Sequence, residues 1–409
     1  MVQKSIILGI SGGIAAYKAA GLASLLVKQG FTVQTVMTKA ATEFITPLTL
    51  QSLTKRPVYV DVLTEQDPTR ISHVALADQA DAIIIAPATA DVIARIAHGL
   101  ADDMLTSLLL VARCPVIVAP SMNVHMYEHP LVQKNLQVLR ELGYIIAEPD
   151  EGMLACGYEG KGRLLEPSDL AHILAFALSP KPLLGKKVLV TAGPTKERVD
   201  PVRYVTNDST GTMGYALARC AWKMGATVTL LSGPVNLTPG VGLDVVSVSS
   251  ALHLQEEVEK RIAQADMFIM TAAVADYRPQ TRYDYKWKKT DDVDTITWTM
   301  VRNPDILVSL KGKYKPGAYA IGFAAETHDV AHFARKKLKD KGVDLLVVNN
   351  VLEDGAGFGT ATNRVDLYFK DGRTEALPLA SKMDVATMIL HRAVIGMGLV
   401  DVDNEGTHA

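Results

Sequence analysis

The sequence predicts an α/β chain built of two doubly wound, Rossmann-like domains. Three observations lead there. A β-branched run, a glycine turn and a helical pattern open the chain at residues 4–28, and the same succession returns from residue 188. In both halves, continuous apolar runs alternate with helical segments, the pattern of parallel sheets covered on both faces. Between the halves lies LSPKPLLGKK, residues 178–187, rich in proline and lysine. It reads as a linker with its boundary near residue 183, so the expected domains are 1–183 and 184–409.

In the first half, residues 4–9, 32–37, 81–86, 115–119 and 144–147 read as strands. In the second half, residues 188–191, 227–231, 267–271, 318–323 and 343–348 do the same, and a helix is expected over 211–223. Residues 365–369 and 375–377 flank Asp371-Gly372, a hairpin signal. The tail DVDNEGTHA reads as frayed. Ligands in such folds bind beyond the carboxyl ends of the strands, and most of the distinctive motifs stand there.

Composition narrows the function. Of 409 residues, 48% are apolar, enough for sizeable cores, and the net charge of −2 gives no basic excess for nucleic acid or an anionic membrane. No apolar run reaches the ~18 residues of a membrane helix, and the start MVQKSIILGISGG lacks a signal-peptide pattern. Cys114, Cys156 and Cys220 are too few and too far apart for a disulfide framework or a structural zinc site. A cytoplasmic protein is the simplest expectation.

The motif GISGG (9–13) joins a strand to a helix, where backbone N–H groups can meet an anion or merely form a tight turn. No acidic residue follows the second strand to hold a ribose diol, so a mononucleotide suits the turn better than NAD. Asn123, in PSMN, stands at a strand mouth and is equally a helix cap. A lone histidine such as His73 is more often structural than catalytic, and a single thiol such as Cys156 is usually buried and inert. The glycines around Cys156 read as a mobile loop.

The order GISGGIAAYK, Met37-Thr38, FITP (44–47), His73, APATAD (86–91), PSMN (120–123) and ACGYEGKGRL (155–164) resembles the flavin-dependent cysteine decarboxylases, with bacterial phosphopantothenoylcysteine decarboxylases nearest. That resemblance implies a flavodoxin-like domain that binds FMN, with the flavin oxidising the substrate thiol so that the adjacent carboxylate is easily lost. It implies His73 as base, Asn123 as holder of the substrate carboxylate and Cys156 as proton donor. Ser11, Gly12, Thr38 and Ser72 become flavin contacts. Ser121 and Asp91 stand where many relatives have Ala and Asn.

In the second half, TAGPT (191–195), DPVRY (200–204), AAVADY (272–277), KWKK (286–289), NPDI (303–306) and GFAAET (322–327) follow in order. Asp276 beside a small-residue turn suits a divalent cation bridging phosphates, and Lys337 and Lys341 share a helix face. Asp305 falls in the first turn of an expected helix. The set resembles bacterial, CTP-using phosphopantothenate–cysteine ligases. It implies a nucleotide-binding ligase domain with CTP contacts at Ala273, Asp276, Lys286, Pro304, Asp305, Ile306, Phe323, Lys337 and Lys341. Magnesium falls at Asp276, Asn207 and Arg203 act on the acyl intermediate, and Lys286 stabilises the departing pyrophosphate. One departure stands out: in NDSTGTMG (207–214), Thr210 replaces a family Ser and Thr212 a family Lys.

The two resemblances together imply a bifunctional enzyme of coenzyme A biosynthesis, since the product of one half is the substrate of the other. They also imply a homo-oligomer, with flavin-domain trimers and ligase-domain dimers. Two rivals are a regulatory flavoprotein with a vestigial ligase half, and a decarboxylase acting on peptidyl cysteine, which would leave the second half unexplained.

Overall fold

A computed structural model describes residues 3–64, 69–153, 157–288, 295–326, 330–350 and 360–400. The chain forms two compact units, Met1–Ser179 and Pro180–Ala409. Both consist of a mainly parallel sheet with helices on its faces, as their apolar runs require.

The first unit holds strands β1 (Ser5–Ile10), β2 (Thr32–Met37), β3 (Val58–Tyr59), β4 (Ala82–Ala88), β5 (Val116–Pro120) and β6 (Ile145–Ile146). They form one six-stranded sheet in the order β3-β2-β1-β4-β5-β6, parallel throughout. This is the Rossmann order; without the two-residue edge strand β3, the remaining strands renumber to the flavodoxin-like order 2-1-3-4-5. Every residue of β4 and β5 is buried. Helix Tyr17–Lys28 turns Ala19, Leu22, Ala23 and Leu26 inward at helical spacing. Helix Met104–Val111 starts with a capping box in which Asp103 accepts from the Thr106 N–H at 2.8 Å.

Strands β7 (Asp150–Met153) and β8 (Glu159–Arg163) form an antiparallel hairpin beyond the sheet. A Cβ on Gly160 would lie 2.8 Å from Val124 Cγ2, and one on Gly162 would strike the Met122 carbonyl. These two glycines therefore serve close packing of β8 on the 122–124 segment. The mobile-loop reading of this stretch is corrected for them.

The second unit begins with β9 (Lys187–Ala192), β10 (Lys196–Arg198), β11 (Tyr204–Thr206), β12 (Thr227–Ser232), β13 (Leu243–Ser247) and β14 (Met267–Met270). It continues with β15 (Tyr277–Pro279), β16 (Met300–Arg302), β17 (Tyr319–Glu326), β18 (Leu345–Asn350), β19 (Thr362–Asn363), β20 (Val365–Phe369), β21 (Thr374–Ala376) and β22 (Ala380–Ser381). The main sheet has eight strands in the order β13-β12-β9-β14-β17-β18-β20-β21. It is parallel up to β18 and ends in the antiparallel hairpin β20–β21. Gly372, at φ +93°, makes that hairpin's turn. Three small antiparallel pairs, β10–β11, β15–β16 and β19–β22, decorate the carboxyl side.

Helix Thr212–Lys223 approaches β9 and β14 so closely that a Cβ on Gly214 would lie 2.5 Å from both Ala192 Cβ and Thr271 Oγ1. Alanine at a helical position gains about 1 kcal/mol over glycine, whereas overpacking a dense core costs about 1–3 kcal/mol. Gly214→Ala is therefore expected to lower the denaturant midpoint of the second unit. A midpoint equal to or above that of the wild type would show that β9 yields to the added methyl.

Candidate active sites

In the first unit, hydrogen bonds tie the loops at the carboxyl ends of the strands into one row. Thr38 N–H donates to the Ile10 carbonyl at 3.0 Å, Ser11 N–H to Pro87 at 3.2 Å, and Ser121 N–H to Ala88 at 3.0 Å. The fully buried Ser11 hydroxyl donates to the Pro87 carbonyl at 2.8 Å and accepts from Thr89 N–H at 2.9 Å. Its side chain thus cross-links the β1 and β4 turns. Gly12 is required because a Cβ would lie 2.5 Å from Ala40 Cβ. Thr38 caps the short helix Lys39–Glu43, accepting from Ala41 N–H at 3.3 Å.

Ser72 and His73 begin helix Ser72–Gln79, with Ser72 buried. His73 Nδ1 is buried and meets no hydrogen-bond partner among the described residues. A buried polar atom left without a partner is costly unless a ligand or water meets it. Asn123 caps helix Val124–Glu128, its Oδ1 accepting from His125 N–H at 2.8 Å. Cys156 lies outside the described residues.

The sequence reading missed what supports Asn123. Met122 N–H donates to the Gly162 carbonyl at 3.1 Å, joining the turn to β8. Beside it, Tyr127 and Arg140 donate to Glu148, and Lys161 of β8 pairs with Glu148 at 3.0 Å. Burial pushes the Glu148 carboxyl up, but hydrogen bonds from Tyr127, Lys161 and Arg140 outweigh this and hold it below its ordinary value. Residues so far apart in sequence leave no local signal.

In the second unit, a cavity of about 460 Å³ opens over the carboxyl ends of the strands. It gathers the expected Asn207, Ala273, Asp276, Pro304, Asp305, Ile306, Phe323, Lys337 and Lys341 in one lining. Asp305 is the N-cap of helix Ile306–Ser309 rather than a residue of its first turn, accepting from Val308 N–H at 3.2 Å. Asp276 is exposed, and its carboxylate makes no hydrogen bond or ion pair to another described residue. Such an uncommitted carboxylate among lysines fits a metal–phosphate group. Among the described residues no cluster of three or more His, Cys, Asp or Glu side chains is grouped for a metal ion. Asn349, Asn363 and Lys382 also line the cavity, and no motif drew attention to them.

Arg203 and Lys286 do not line this cavity. Arg203 pairs with the buried Asp200 at 3.0 Å and donates to the Trp287 carbonyl. Asp200 also accepts from the N–H groups of Val202 and Arg203, each at 2.7 Å, and of Trp287 at 3.2 Å. Arg203 and Asp200 thus clamp the segment that carries the exposed Lys286. Thr210 and Thr212 share a hydroxyl hydrogen bond of 2.8 Å at the start of helix Thr212–Lys223.

The protein families that match follow these two units. Residues 1–178 match the Flavoprotein family and residues 183–395 the DNA/pantothenate metabolism flavoprotein C-terminal domain. The coenzyme A biosynthesis bifunctional protein CoaBC of Bacillus subtilis is 50% identical over 95% of this chain and 96% of its own. The chain belongs to the coenzyme A biosynthesis bifunctional protein family. Other members of this family include the CoaBC proteins of Vibrio cholerae, 49% identical over 96% of this chain and 98% of their own, and of Escherichia coli, 41% identical over 96% and 97%. No helix among the described residues is long and apolar enough to cross a membrane.

Burial pushes the Asp200 carboxyl up, but its backbone donors and Arg203 prevail and hold it below the ordinary value. A depressed carboxyl pKa stabilises the native state above the unfolded value of about 3.9, and that contribution is lost as pH falls through the folded value. Asp200→Asn removes the charge. At neutral pH it is expected to reduce the hydrogen-exchange protection of the Val202, Arg203 and Trp287 amides by about tenfold, as loss of a charge-assisted hydrogen bond should. Unchanged protection would mean the segment is held by other contacts.

Proposed function

We propose that the second unit ligates cysteine to 4′-phosphopantothenate with CTP, and that the first unit decarboxylates the product, 4′-phosphopantothenoylcysteine, to 4′-phosphopantetheine with FMN. The reading rests above all on the cavity of the second unit, where carboxamide, carboxylate and lysine side chains from distant segments meet over one sheet edge. Family membership over nearly the whole chain supports both activities.

A carboxylate is a poor acyl donor because its leaving group would be oxide. Its oxygen attacks the α-phosphorus of CTP, the bond to the β-phosphate breaks, and pyrophosphate leaves. The cysteine amine then attacks the acyl carbon of the acyl-cytidylate, loses a proton, and CMP departs with the bonding pair. Lys337 and Lys341 offset triphosphate charge, as fixed cations do most effectively in a partly desolvated site. Asp276 would hold magnesium, which when bound screens the phosphates. Ala273, Pro304, Ile306 and Phe323 line the space for the nucleoside, while Asp305 caps the adjacent helix. Asn207 polarises the acyl group. Lys286 takes the developing pyrophosphate charge, and Arg203 acts by fixing the segment that bears it.

In the first unit, the row formed by the 9–13 turn, Thr38, Ser72 and the 86–89 turn would hold FMN. When bound, FMN supplies two-electron oxidation of the substrate thiol and later returns the electrons. His73, whose buried Nδ1 has no partner among the described residues, takes the proton. Asn123 holds the carboxylate to be lost; its cap to His125 fixes the amide's orientation. Cys156 donates the closing proton. The same reading includes trimers of the flavin unit and dimers of the ligase unit.

The test is a timed mass-spectrometric assay with 4′-phosphopantothenate, cysteine, CTP and magnesium. Phosphopantothenoylcysteine should appear and give way to phosphopantetheine, and replacing CTP with ATP should slow the first step. If authentic phosphopantothenoylcysteine is also left unchanged, a regulatory flavoprotein becomes the better account. His73→Asn should retain the flavin spectrum and ligate normally, while decarboxylation falls by at least about 100-fold, the usual weight of a general base. Decarboxylation at the wild-type rate would remove His73 from the mechanism.

A further inference from the structure

Glu148 is built into the first unit more firmly than a surface carboxylate needs to be. Its backbone is set by the sheet. Ile145 and Ile146 pair with Ile117 and Val118 of β5, and the buried Ala147 donates its N–H to the Val118 carbonyl at 2.8 Å. The Glu148 carboxylate then gathers donors from three elements. These are Tyr127 of helix Val124–Glu128, Arg140 of helix Pro130–Glu141 and Lys161 of β8, the last at 3.0 Å. A lone surface ion pair is worth little, whereas a network of side chains borne by packed elements orients its members. Burial, and then the bond to Glu148, push the Tyr127 phenol above its ordinary value. The phenol therefore stays the donor and Glu148 the acceptor. Lys161 Nζ also lies 5.7 Å from the centre of the Tyr127 ring, a cation–π attraction within the same cluster.

Two of these donors lead to Asn123, which in the decarboxylase reading holds the substrate carboxylate. Tyr127 N–H donates to the Asn123 carbonyl at 2.9 Å, one turn back along the helix, while Asn123 Oδ1 accepts from His125 N–H at 2.8 Å. The buried ring of Tyr127 thus sets the roll of the helix that Asn123 caps. That helix has five residues, too few for intrahelical bonds alone to hold it.

Lys161 leads to the same segment through β8. Its neighbours Gly160 and Gly162 lie against Val124 and Met122, and Met122 N–H donates to the Gly162 carbonyl at 3.1 Å. Just before β8, the Tyr158 ring meets His125 edge-on, with 5.1 Å between centres. The 122–127 segment and β8 therefore meet along one seam, and Glu148 grips both sides of it.

We infer that Glu148 is a positioning residue of the decarboxylation: by holding Tyr127 and Lys161 together, it fixes the orientation in which the Asn123 amide meets the substrate carboxylate. This rests on the decarboxylase reading above, and the experiment separates the two. The FMN-loaded full chain is assayed on 4′-phosphopantothenoylcysteine as wild type, Glu148→Ala, Tyr127→Phe and the double variant. 4′-Phosphopantetheine, which lacks the carboxylate, is titrated as a competing ligand. Glu148→Ala should raise KM about tenfold, the weight of a hydrogen bond to a charged group. It should leave the inhibition constant of phosphopantetheine and the flavin spectrum unchanged, which general damage to the site would not. Tyr127→Phe should raise KM in the same way, and the double variant should lose less than the product of the two single losses, because both act through one contact. An unmoved KM, equal weakening of both ligands, or losses that simply multiply would overturn the inference. If Glu148→Ala does not retain FMN, Tyr127→Phe decides alone: a raised KM with phosphopantetheine unaffected supports the inference, and any other result overturns it. If the wild type leaves phosphopantothenoylcysteine unchanged, the decarboxylase reading fails, and hydrogen exchange at the His125 amide decides the anchoring. Faster exchange in Glu148→Ala and Tyr127→Phe, with unaltered melting curves, supports it; equal exchange overturns it.

Discussion

A parallel sheet buried on both faces leaves one edge for chemistry, and both units are organised by that constraint. Helices cover the faces, strand amides pair with neighbouring strands, and only the loops leaving the carboxyl ends can present groups to a ligand. Those loops must lie against one another without unpaired backbone. In the first unit they do so through the Ser11 hydroxyl, which serves Pro87 and Thr89 together. In the second, the buried Thr191 hydroxyl accepts from the N–H groups of Thr271 and Ala272, both at 3.1 Å. Near the end of the first strand of each unit, a buried hydroxyl thus fastens the neighbouring turn.

Much of the framework was legible in sequence because full burial produces unbroken apolar runs. Residues 82–88, 116–120, 267–270 and 345–348 are such runs, and all lie in central strands. The strands that escaped notice are short or half exposed. β3 has two residues, β13 contains only exposed and half-buried positions, and the small pairs β10–β11 and β19–β22 contain mostly polar residues. Their pairing is imposed by tertiary contact and leaves little periodicity to read.

The candidate sites were legible where function resides in a contiguous motif. Ala273 and Asp276 share one cavity with Phe323 because they follow β14 and Phe323 lies in β17, its neighbour in the main sheet, while Pro304 and Asp305 follow β16 of the small β15–β16 pair. What remained hidden was the use made of each side chain. Ser11 also cross-links two turns of the fold, and Asn123 also holds a helix cap. Arg203 also holds Asp200 and the Trp287 carbonyl, a use that its motif does not announce. Lys382 has the opposite history: within SKMD it resembles a solvated helix start, and only the packing of its helix brings it to the cavity.

The antiparallel end of the second sheet has a consequence for solubility. A row of parallel strands ending in a long apolar strand would offer an open template for strand addition by another chain. Here the last partner is β21, three residues long, with both flanking positions exposed. Its central Glu375 is held by the Arg392 guanidinium at 2.8 Å. A strand this short, with an ion pair on it, gives an incoming chain few backbone groups to match and a charge to desolvate. The hairpin that follows β18 therefore guards a densely apolar sheet against edge-to-edge aggregation.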